Sequence, residues 1–256
     1  MELCRIQQWF RQNGLVLNTK KTNYVLFRNK NKPDIDPVIQ FGDEVLERLD
    51  SAMFLGVDMD ENLNWSQQTD KLCRKLSSSI FLLRNMRAIC DDDAMLISLY
   101  HALIVSSIRY GIIHWGGGPA YNMNRVLVLQ KYAIRIISKL RRRDSCRQMF
   151  KDLKLLTVPC LYIFDAVTFI VKNKIGRTAQ EVSCRNTRQS NDYFIEPCRL
   201  NSTRCSVEQA GLQFFNCLPG EIKAKQNTSK FFPSLKEYLV SSCFYSLQEF
   251  FAGTSS

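Results

Sequence analysis

The spacing of apolar residues changes near residue 65, and that change constrains the fold more than any other feature of the chain. Before it, short apolar runs alternate with turn residues, the pattern of strands; after it, apolar residues recur with helical period. "NGLVLNTKKTNYVLF", residues 13–27, reads as strand, turn and strand, with Leu15 to Leu17 and Tyr24 to Phe27 as its arms. Val38 to Phe41, Val45 to Leu49 and Met53 to Val57 read as further strands, separated by turn residues such as Pro33-Asp34 and Gly42-Asp43. A short amphipathic helix carrying Leu3, Ile6 and Phe10 precedes them.

From residue 65, Leu72, Leu76, Ile80 and Leu83 line one face of a long helix that ends near Cys90. Asp91-Asp92-Asp93 supplies an N-cap and an acidic first turn for a second helix over 94–110. Tyr110-Gly111 and Gly116 to Pro119 break the chain, and a third helix runs from about Asn124 to Leu140 with Val126, Leu129, Ala133, Ile136, Ile137 and Leu140 as its apolar stripe. The fold class is α+β. A small antiparallel strand region over 1–64 is followed by a helical bundle over 65–143 and a mostly helical region over 144–256.

Charge is concentrated on the third helix. Lys131, Arg135, Lys139 and Arg142 recur at spacings of four, four and three, which a helical wheel puts opposite the stripe. Arg141 and Arg143 extend the row. Between 123 and 154 there are ten Lys or Arg against two Asp, a net +8 out of +11 for the chain. Such a row can follow phosphates. The alternatives are a solvated face with a basic loop, a nuclear-import signal, or a patch for acidic lipid.

Other chemistry is sparse. Ten cysteines in a long chain with ample apolar residues and no signal peptide read as reduced thiols. Cys184, Cys198, Cys205 and Cys217 have no histidine beside them to complete a zinc set, and no Cys-x-x-Cys pair occurs. Asp58 and Asp60 alternate as a strand would present two carboxylates to a metal pair, but they lie in what reads as a polar turn. Neither His101 nor His114 adjoins a nucleophile, and Cys90 and Cys160 read as packed or idle. Gly116 to Gly118 lacks the lysine of a phosphate-binding loop. No apolar run approaches the ~20 residues that span a bilayer. The expected location is intracellular, nuclear or cytoplasmic, without secretion.

Several strings, in order, resemble the tail of the reverse transcriptases of insect non-LTR retrotransposons of the jockey-like group: "WFRQNGLVLNTKKTNYVLF", "FLGVDMDENLNW", "YHALIVSSIRYGIIHWG" and "LQKYAIRIIS". The resemblance continues through "CRQMFKDLKLLTVPCLYIF", "RNTR", "FFNCLPGEIK" and "FYSLQEF", nearly the whole chain. It implies that 1–64 is the C-terminal edge of a palm, with Lys21 as the lysine that helps pyrophosphate leave. Phe54-Leu55-Gly56 resembles the primer grip, a tight hairpin at the primer end. Residues 65–143 are similar to the thumb, so the basic row would meet the backbone of an RNA–DNA or DNA duplex.

There are departures. The metal-binding aspartates of such polymerases fall upstream of Met1, as do the fingers and most of the palm. Gln67-Gln68 stands where the family tends to have a histidine after the tryptophan, and Ser183-Cys184 precedes Arg185 to Arg188. The expectation is therefore a C-terminal fragment of an RNA-directed DNA polymerase that binds template and primer but is inactive alone. It has no cofactor of its own, Mg²⁺ belonging to the complete polymerase, and binds no small-molecule substrate or membrane. The alternative is a non-catalytic nucleic-acid-binding protein or a decayed relic.

Overall fold

Helix ends decide where the elements of this chain fall. In a computed structural model, which describes residues 2–28, 37–42, 44–178, 181, 192–199, 203 and 205–253, α1 spans Glu2–Gln12. Gly14 follows with φ +66°, and the Leu15 N–H donates to the Phe10 carbonyl at 2.9 Å. A left-handed residue past the helix, then an apolar residue closing on the carbonyl five positions back, is the Schellman end. Leu15 is apolar because it closes α1, not because it starts a strand. The hairpin expected over 13–27 does not form. A 3-10 turn occupies Thr19–Lys21, and β1 (Asn23–Tyr24) pairs in parallel with β4 (Glu47–Arg48).

The chain divides into two compact units, Met1–Gln68 and Thr69–Ser256. In the first, β2 (Gln40–Phe41) pairs antiparallel with β3 (Glu44–Val45), and β5 (Ser51–Phe54) pairs antiparallel with β6 (Val57–Asp60). The run Met53 to Val57, expected as one strand, turns at its middle. Leu55 and Gly56 have φ of +47° and +78°, the positive values a two-residue hairpin turn needs at both centres. Glycine adopts this freely; leucine does so at a cost of roughly 1–2 kcal/mol. Glu61 fastens the unit through a two-pronged ion pair with Arg28, both contacts 2.9 Å, and a third contact to Arg48 at 3.4 Å. The Arg28 hydrogen bonds hold its carboxyl below the usual carboxylate range.

The second unit is helical. On α2 (Ser66–Ile89), Leu72, Leu76, Ile80 and Leu83 are all buried, as their spacing requires. Asp92 caps α3 (Asp93–Leu99), accepting from the Ala94 N–H at 2.9 Å. The helix continues through a π-helical stretch, Tyr100–Val105, into α4 (Ser106–Arg109). After α5 (Ile112–Trp115) come α6 (Ala120–Ile137), α7 (Arg147–Asp152) and α8 (Val158–Lys172). Beyond them lie α9 (Val207–Asn216), α10 (Gly220–Lys223), α11 (Phe231–Ser242) and α12 (Leu247–Gly253).

Helix α8 is the centre of this core. It packs against α4, α5 and α6 on the one hand and α9 and α11 on the other, so the segments before and after residue 143 share apolar interior. Its approach to α9 depends on Gly211, where a Cβ would lie 2.7 Å from Ile170 Cγ2 and 2.9 Å from the Ala166 carbonyl. A buried amide links the layers. Gln130 Nε2 donates to the Tyr100 hydroxyl (2.8 Å) and the Leu156 carbonyl (2.9 Å), while Oε1 accepts from the Val158 N–H (3.0 Å). The Pro33-Asp34 turn, Asp43, Ser183-Cys184 and the Arg185 to Arg188 string lie outside the described residues.

Candidate nucleic-acid interface

The basic row is broken by the end of α6. Lys139 takes φ +51°, and the Leu140 N–H closes on the Arg135 carbonyl at 2.9 Å, the same Schellman end with lysine in the place of glycine. Leu140 therefore extends the apolar pattern without extending the helix. Lys139 and Arg142, expected on the third helix, lie past its end. The core-facing stripe is also turned relative to the expected one: Val126, Leu127, Gln130, Ile134 and Ile137 are buried, while Leu129 and Ile136 are only half-buried. Lys131 and Arg135 consequently sit at the flank of the stripe rather than opposite it.

From that flank they reach inward. Lys131 Nζ lies 3.8 Å from the centroid of the Tyr245 ring, and the Arg147 guanidinium lies 4.3 Å from the same ring. Arg147 also pairs with Glu249 at 3.0 Å. Burial holds the Lys131 amine below its ordinary value, and burial pushes the Tyr245 phenol up to about 12. Arg135 donates from Nε and Nη2 to the Asp144 carbonyl at 3.2 and 3.0 Å, which folds the 138–146 loop back along the helix. Lys139 pairs with Asp91 at 2.7 Å, and its hydrogen bond holds the Asp91 carboxyl below the usual range.

A different set of cations remains open. Arg141, Arg142 and Arg143 are exposed on the loop, and Arg84 is exposed on α2. Among the described residues none of these four guanidinium groups has a hydrogen-bond or ion-pair partner. Arg84, Arg135 and Arg142 meet around an open depression of about 470 Å³, completed by Tyr132, Ile136 and Leu140. Arg84 stands 51 positions from Arg135 in sequence, so only the fold brings it to the site. Tyr132 was legible as an aromatic between basic residues, though the charge pattern alone did not single it out.

The remaining candidates lie in the first unit. Lys21 is exposed at the end of its 3-10 turn. Phe54 and Leu55 stand at the tip of the β5–β6 hairpin with 62% and 76% of their surface exposed, and Gly56 completes the turn. Asp58 and Asp60 do not suit a metal pair. Asp60 Oδ1 accepts from the Asn62 and Asn64 N–H groups at 3.0 Å, and Oδ2 accepts from the Trp65 N–H at 3.0 Å. That carboxylate shapes the turn between β6 and α2, where Leu63 and Trp65 have positive φ. Among the described residues, no group of three His, Cys, Asp or Glu is placed to hold a metal ion. Burial pushes the Cys160 thiol up to about 12, away from nucleophilic use. No described helix is long and apolar enough to cross a membrane.

A Drosophila melanogaster protein described as "Probable RNA-directed DNA polymerase from transposon X-element" is 25% identical over 158 residues, covering 60% of this chain and 17% of the relative. A second from the same organism, "Probable RNA-directed DNA polymerase from transposon BS", is 25% identical over 159 residues, 61% of this chain and 17% of the relative. The chain resembles transposon reverse transcriptases. It spans only about a sixth of those relatives. No family model matches the chain, and no solved structure does.

Proposed function

We propose that this chain is the C-terminal part of a jockey-like non-LTR reverse transcriptase, with the second unit as its thumb and the arginine cluster as its grip on template and primer. The observation that carries the reading is the set of open arginines: four guanidinium groups without partners among the described residues, in a chain whose relatives are described as RNA-directed DNA polymerases. A charge left unpaired at a surface is available to a phosphate, and phosphate contacts hold a duplex without reading its sequence. The Phe54-Leu55-Gly56 hairpin is the primer grip in this reading, its exposed apolar tip lying against the primer strand. Lys21 is the residue that assists pyrophosphate release in the complete enzyme.

Mg²⁺ belongs to the complete polymerase in this reading: Asp60 is committed to backbone amides, and among the described residues no group of three His, Cys, Asp or Glu is placed to hold a metal ion. The test is fluorescence anisotropy with labelled RNA–DNA hybrids of unrelated sequence. Affinities within about threefold of one another support a backbone grip. Absence of binding at low salt, or a preference of a hundredfold for one sequence, refutes it.

A further inference from the structure

The depression beside α6 has a chemistry narrower than a duplex requires. Duplex backbones are followed by lines of cations, and their bases are stacked face to face inside the helix, beyond the reach of an aromatic side chain. Here Arg84, Arg135 and Arg142 line the depression together with Tyr132, Ile136 and Leu140. An apolar and aromatic surface flanked by guanidinium groups suits a flat base joined to a phosphate, the combination only an unpaired nucleotide offers. The volume, about 470 Å³, falls within the ~300–1,000 Å³ of sites that take a molecule of that size. The lining is also prearranged. Arg135 is fixed by its two bonds to the Asp144 carbonyl, and its guanidinium lies 5.8 Å from the Tyr132 ring. Arg84 and Arg142 keep their donors for a ligand.

We infer that this depression holds one unpaired nucleotide of a bound strand, its base against Tyr132 and its phosphates between Arg84 and Arg142. The inference rests on the reading of the second unit as nucleic-acid-binding, and adds that the depression between these arginines takes the first unpaired nucleotide beside the duplex they grip.

The experiment uses the full chain and two labelled probes: a blunt RNA–DNA hybrid, and the same hybrid with a single-stranded extension of about five nucleotides containing 2-aminopurine. The extended probe binds about tenfold more tightly, as one stacked base provides, and its 2-aminopurine emission is quenched on binding. Arg84→Gln removes most of that gain, so the extended probe loses about fivefold more affinity than the blunt hybrid, which loses only one of its four phosphate contacts. Tyr132→Leu abolishes the quench, which a purely electrostatic surface would not do. Should Tyr132→Leu fail to fold, Arg84→Gln carries the test, since Arg84 is exposed and its removal uncovers no core. Equal binding of the two probes by the unaltered chain overturns the inference and leaves the duplex grip standing. So does an equal loss on both probes in Arg84→Gln. Binding of neither probe overturns both.

Discussion

Replacing Lys131 with Gln separates two roles open to a basic residue on α6. A phosphate-binding lysine contributes about 0.9 to the slope of log K against log salt and little to stability. The structure assigns Lys131 the other role, with Nζ 3.8 Å from a Tyr245 ring that Arg147 also covers. A half-buried cation over an aromatic ring is worth about 1 kcal/mol. For a unit of this size that is a fall in Tm of about 2–4 °C. The change should therefore lower the melting temperature, followed by circular dichroism, and alter the salt slope of hybrid binding by less than about 0.3. An unchanged melt together with a slope reduced by nearly one would refute the reasoning, since Lys131 would then be meeting phosphate and its contact with Tyr245 would carry no weight.

Gln130→Leu removes the partners of the Tyr100 hydroxyl, the Leu156 carbonyl and the Val158 N–H together, and should cost about 3 kcal/mol in urea unfolding. Leu55→Asn relieves the left-handed leucine at the hairpin tip, so amide protection across β5–β6 should rise about fivefold, while primer-template binding weakens if the apolar tip is the primer grip. Asp91 should titrate below the ordinary aspartate value by carbon-13 NMR and return toward it in Lys139→Gln. Because its folded value is depressed, the stability from that pair is present above the ordinary value and is lost as pH falls through the depressed one. The chain alone should not extend a primer on RNA or DNA with Mg²⁺ or Mn²⁺; extension that disappears in Asp60→Asn would contradict the assignment of that carboxylate to the turn between β6 and α2.

The helices of the second unit were legible because long amphipathic segments state their period many times over: Leu72, Leu76, Ile80 and Leu83 fall on the buried face where the spacing put them. Helix ends were not. In α6, α7 and α8 the left-handed position is filled by Lys139, Lys154 and Lys174 instead of glycine, and the closing Leu140, Leu155 and Ile175 look like further turns of helix. Leu15 misled in the opposite direction, passing for the start of a strand. The turn of α6's stripe was hidden by Gln130, a polar residue that belongs in the core because it satisfies three buried groups. The candidate site inherited these errors. Its charge was visible in composition, but which cations are open depends on partners the charge pattern does not show: Asp91 for Lys139 and Tyr245 for Lys131, both distant in sequence, and the backbone carbonyl of Asp144 for Arg135. The tie between Arg84 and Arg142 exists only in the fold.

The grip is tested most directly by the salt dependence of hybrid binding in the unaltered chain and in the variant carrying Arg141→Gln, Arg142→Gln and Arg143→Gln. Four open arginines predict a slope near −3.6, at about 0.9 per phosphate, and the triple change should reduce its magnitude by about 2.7 with the melting temperature unmoved. A slope that survives the triple change intact would contradict the account, because the nucleic acid would then be held somewhere other than the arginine cluster.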